Sequence, residues 1–153
     1  MHVVIQATHS SDRLPLAVSF ACFVVAGGTT ATTDATVPTL GATAVAIGAV
    51  YALALYAKAV TRRTLAQLSI AFWIAFIAVA GLHAVGLGTV GATVPGPAET
   101  IAFSLSAITW GTFLTACGST AFLAAREYGA SAGSHVEADE QVLEGETSDY
   151  STR

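Results

Sequence analysis

Residues 64–98 read TLAQLSIAFWIAFIAVAGLHAVGLGTVGATVPGPA, 35 positions without one Asp, Glu, Lys or Arg. A bilayer core roughly 30 Å thick is crossed by about 20 apolar residues in a helix. The stretch therefore holds one full span and a loop. Its first part, LSIAFWIAFIAVAGLHAVGL, has no period-2 alternation, which argues against a β-barrel strand. Apolar residues run round the whole helical circumference, as in a helix surrounded by lipid. Lipid offers no partner to a bare N–H or C=O, so helix is the form expected.

Three more stretches share this property. Residues 14–33, 35–57 and 100–125 are also uncharged, for 20, 23 and 26 positions. The reading is an all-α integral membrane protein with four transmembrane helices in a small bundle, at about 14–31, 39–60, 66–88 and 99–124. Residues 1–13 form a cytoplasmic N-terminal segment, 14–126 the transmembrane domain and 127–153 an acidic, disordered cytoplasmic tail. The first segment has an alternative. Its strongly apolar part, LPLAVSFACFVVA, is short and follows Arg13, as in a cleaved signal. Three spans would then remain; a retained helix extended through the Thr-rich stretch is the favoured reading.

Composition agrees. Of 153 residues, 54% are hydrophobic and 10% charged, with a mean hydropathy of +0.66. A soluble domain carries about a quarter charged residues. Only six are Lys or Arg, and the net charge is −4, which excludes a nucleic-acid-binding surface. Between 131 and 153 lie Glu137, Asp139, Glu140, Glu144, Glu146 and Asp149 against Arg153. That low hydrophobicity and like charge predict a solvated, disordered tail.

The basic residues give the orientation. Lys58, Arg62 and Arg63 lie between spans two and three, Arg13 precedes span one, and Arg126 follows span four. The other two loops have no Lys or Arg. The positive-inside rule places both termini in the cytoplasm of a multi-pass cell-membrane protein, with Lys58, Arg62 and Arg63 as topology anchors at anionic headgroups.

Small residues at i+4 spacing allow helices to approach closely in lipid. Span two offers Ala44, Gly48 and Ala52, span three Ala80, Ala84 and Gly88, and span four Ala107, Gly111, Thr115 and Ser119. Each ridge is expected to face inward or to face another copy. The tetrapeptide Ala-Thr-Val-Pro at 35–38 and 92–95 raises a two-helix duplication against chance recurrence in an Ala- and Thr-rich chain.

Few residues carry chemistry. His83 is the one His inside a span and the one candidate cofactor ligand; a neutral, hydrogen-bonded imidazole is the favoured reading. A bis-imidazole haem needs a second His at the same depth, and His2, His9 and His135 fall outside the spans. Glu99 opens span four, where an acid suits the helix dipole or caps free N–H groups. No acid lies deep in a span, which argues against small multidrug exporters of similar length. Cys22 and Cys117 are single, with no CxxC, and read as inert thiols. Phosphate-loop, nucleophile-elbow and zinc-protease motifs are absent. No catalytic residue, metal site or cofactor is expected.

YAKAVTRRTLAQLSIAFWIAFIAVAGLHAVG, residues 56–86, resembles small multi-span haloarchaeal membrane families of unknown function. One Lys against five Arg, with an acidic tail, also looks like a protein of halophilic archaea. The resemblance implies a membrane protein and brings no catalytic residues with it. Three functions are weighed: a non-enzymatic accessory subunit or self-associating scaffold, a small homo-oligomeric transporter or channel, and a haem-linked respiratory-chain subunit using His83. The partners expected are the lipid bilayer and either further copies of the chain or a larger membrane complex.

Overall fold

A computed structural model describes the backbone of residues 2–32, 36–86, 89 and 95–148, and the side chains of 13–29, 36–86, 89 and 95–130. Four long helices account for nearly all of it: α1 (His2–Thr32), α2 (Thr36–Ala59), α3 (Arg62–Val85) and α4 (Ala98–Ser148). The described residues contain no strand. Three helical segments are long and apolar enough to cross a membrane: Thr36–Ala59, Arg62–Val85 and Ala98–Ala130. The described apolar part of α1, Arg13–Thr29, is shorter.

The helix ends follow local chemistry. Pro38 sits in the first turn of α2, where its missing N–H has no intrahelical role. Thr61 caps α3, its hydroxyl accepting from the Thr64 N–H at 3.2 Å. Gly86 closes α3 at φ +99°, a backbone setting that glycine takes without strain, and donates its N–H to the His83 carbonyl.

Two elements run further than expected. α1 begins at His2 rather than near residue 14, while its passage through Gly27, Gly28 and Thr29 is that expected of a helix extended through the Thr-rich stretch. α4 has 51 residues, or about 75 Å at 1.5 Å per residue. Over 127–148 the backbone is thus helical where an irregular tail was expected. Ala, Glu, Gln and Leu are strong helix formers, and they supply 10 of its 22 residues. Side chains from 131 onward, and all of 149–153, lie outside the described residues, as do Ala35 and Ala92–Val94 of the repeated tetrapeptide.

α1 packs against α2 and α4, and α3 packs along α4. The α1–α4 crossing depends on absent side chains. A Cβ on Gly27 would collide with the Cβ of Trp110, and one on Gly111 with a methyl of Val24. Each helix therefore offers a glycine where the other presents bulk, which brings the backbones close. The span-four ridge is buried: Ala107, Gly111, Thr115 and Ser119 all lie inside. The span-two ridge is not. Ala44 and Gly48 are exposed, and α2 instead buries Ala42, Ala49, Leu53, Tyr56 and Ala57. Ala84 of the span-three ridge is exposed, and Gly88 lies outside the described residues.

The interior is rich in small hydroxyls and the exterior in large aliphatics. Ser19, Ser69, Thr112, Thr115 and Ser119 are buried, while Ile47, Ile70, Ile74 and Ile77 stand outward. Among the described residues no buried side-chain polar atom lacks a partner. Ser19 donates to the Ala49 carbonyl of α2 at 2.8 Å. Thr112, Thr115 and Ser119 donate to carbonyls within α4. A chain folding in water places such apolar surface inside.

Candidate functional site

The α3–α4 seam contains His83. Its Nε2 lies 2.9 Å from the Thr109 hydroxyl, which in turn donates its one proton to the Leu105 carbonyl at 2.7 Å. Thr109 is then left to accept, so the His83 Nε2 carries a proton and donates. That nitrogen is not free to ligate a metal. Lower in the seam a second threonine plays the same part. Thr120 donates to Ala116 and accepts from Trp73 Nε1 at 3.1 Å, so Ser69, at 2.7 Å, must donate to it as well. Between these two polar rungs the rings of Trp73, Phe76, Phe113 and Trp110 form a chain, with successive centroids 5.1–6.0 Å apart. Edge-on and tilted contacts of this kind favour ring pairs. A shallow hollow of about 250 Å³, lined by Phe76, Thr109, Trp110 and Phe113, opens beside them.

The basic residues meet at the other end. Arg126 Nη1 donates to the carbonyls of Ala57 and Val60, both at 2.9 Å, and so closes the C-terminus of α2. Arg62 donates to the Arg126 carbonyl and pairs with Glu127 at 3.3 Å. Lys58 lies in the last turn of α2, exposed, beside Arg126 in a cleft. Arg63 is exposed. Of the three residues expected as anchors, Arg62 thus has a second, structural task. Arg126, counted in the sequence only as a flanking charge, is the residue that ties the α2–α3 turn to α4. Its partners are 64 to 69 positions away, and no local motif announces them.

Glu99 stands in the first turn of α4, exposed. No side-chain hydrogen bond holds it among the described residues, so its contribution there is to the helix dipole, not a cap. Cys22 and Cys117 are free and half-buried. The described residues hold no group of three or more His, Cys, Asp or Glu side chains arranged for a metal. The side chains of His2, His9 and His135 lie outside the described residues.

No known protein family, curated protein or solved structure matches this chain.

Proposed function

We propose that this chain is an integral membrane protein of four spans that works as a non-enzymatic accessory subunit or self-associating scaffold. The observation that carries this reading is the outer face of α3. Only Leu65 and Ser69 of that helix are buried, both near its start. Ile70, Ile74 and Ile77 recur along one face and are 60–66% exposed. In lipid, such a face is free to pack against another helix. The small hydroxyls of the interior serve helix contacts, and neither seam nor basic end assembles a catalytic set.

The four-span reading rests on α1. Ser19, Phe23 and Ala26 are buried, and Gly27 and Gly28 meet Trp110 and Phe103 of α4. These contacts support a retained helix over a cleaved signal. The orientation we propose, with that end and both termini in the cytoplasm, is supported by Arg13, Lys58, Arg62, Arg63 and Arg126 through the positive-inside rule.

Cross-linking tests the α3 face. In a Cys22→Ala, Cys117→Ala background, Ile74→Cys in native membranes should give a disulfide-linked product on oxidation. A species of twice the chain mass identifies a scaffold; a larger adduct identifies an accessory subunit. Monomer alone at Ile70→Cys, Ile74→Cys and Ile77→Cys would overturn the proposal.

A further inference from the structure

α3 leans on α4 rather than on α2, and this leaves a cleft of about 530 Å³ at the basic end. Leu16, Phe20, Leu68 and Phe72 form its apolar wall, and Phe20 meets Phe72 ring to ring at 5.8 Å. Among the described residues, Arg13 and Tyr56 also line it. Arg13 is exposed and has no ion pair among the described residues. Tyr56 is 6% exposed, yet its hydroxyl makes no hydrogen bond among the described residues. Among those residues no buried side-chain polar atom lacks a partner, so that oxygen is not sealed in, and the residue lines this cleft. Among the described residues, a cation without a counter-ion and a phenol without a partner thus line one apolar trough.

We propose that this cleft holds one anionic phospholipid, with its phosphate between the Arg13 guanidinium and the Tyr56 hydroxyl and an acyl chain along Phe20 and Phe72. A phosphodiester accepts from both donors at once. Basic pockets between membrane helices recognise headgroups in this way. The neighbouring cleft of Lys58 and Arg126 does not offer such a pair of donors, because Arg126 Nη1 already serves two carbonyls. The proposal rests on the membrane reading above.

The test uses the full chain in vesicles of equal parts phosphatidylglycerol and phosphatidylcholine. After flotation it is extracted in mild detergent and weighed by native mass spectrometry. One phosphatidylglycerol should remain per chain, in preference to phosphatidylcholine. Arg13→Gln should lower its occupancy about fivefold. Tyr56→Phe, which keeps the ring and its packing, should lower it about threefold, the worth of one such hydrogen bond. Lys58→Gln removes the same charge elsewhere and should leave occupancy at the wild-type level. Equal retention of both lipids, or equal loss in Lys58→Gln and Arg13→Gln, or no loss in Tyr56→Phe, overturns the site. Protein that fails to float with vesicles overturns the membrane reading and this site with it; protein that floats but shows no preference overturns the site alone.

Discussion

At the scale of single residues, the contacts that hold α1 to α4 are made by what is missing. Gly111→Val or Gly27→Leu should separate the two helices at a cost of about 1–3 kcal/mol, as overpacking does in other close-packed interiors. Gly48→Ala is the matching control, because a Cβ there meets nothing within 4 Å; it should stay within about 0.5 kcal/mol of the parent. Unfolding in mixed micelles titrated with dodecyl sulfate measures both, and equal effects of the two would refute the contact. His83 offers a subtler case. Because its Nε2 donates to Thr109, His83→Gln retains a donor and His83→Leu does not. The expected difference is about 0.6 kcal/mol, typical of a hydrogen bond between membrane helices. Equal stability of the two variants would show that the bond contributes nothing.

At the scale of elements, the α2–α3 turn is held from outside by α4. Arg126→Gln should release the carbonyls of Ala57 and Val60, destabilise the turn by about 1 kcal/mol, and raise amide exchange across residues 57–61. Glu127→Gln should change little, since the Arg62–Glu127 pair is about half exposed on both sides. Unaltered exchange in Arg126→Gln would remove the clamp. These elements also show how far the sequence could be read. The uncharged stretches located α2, α3 and the apolar part of α4, because a hydrophobic run of helical length is a local property. The ridge of span four was legible for the same reason: its large side chains lie off the small-residue face. Which face of span two is buried was not. In a chain this rich in Ala, several faces of α2 are small enough to pack. The choice of Ala42, Ala49 and Leu53 over Ala44 and Gly48 was made by where α1 lies. Helix over 127–148 was missed because charge and low hydropathy report on solvation, while Ala, Glu and Leu still favour the helical backbone.

At the scale of the whole molecule, hydroxyls face inward and aliphatic side chains outward, which assigns the solvent around the bundle. The protein should remain with membranes through carbonate and high-salt washing, and appear in solution only with detergent; dispersion in high-salt buffer alone would end the membrane reading. The proposed orientation predicts labelling. Val37 and Tyr128 are each 79% exposed, at opposite ends of the bundle. In a background without the native cysteines, Val37→Cys should react with an impermeant thiol reagent from outside the cell. Tyr128→Cys should react only after permeabilisation. The reverse pattern would invert the topology.

By itself the sequence determined that the chain is helical, that it holds helices long and apolar enough for a bilayer, and that its basic residues gather near particular helix ends. These are properties of consecutive residues, set by backbone hydrogen bonding and hydropathy along one strand of chain. Only the tertiary structure decided which small faces meet, which threonine accepts from His83, and that Arg126 closes α2. Those contacts join residues 26 to 87 positions apart, and their partners are chosen by how neighbouring helices cross, which no local pattern encodes.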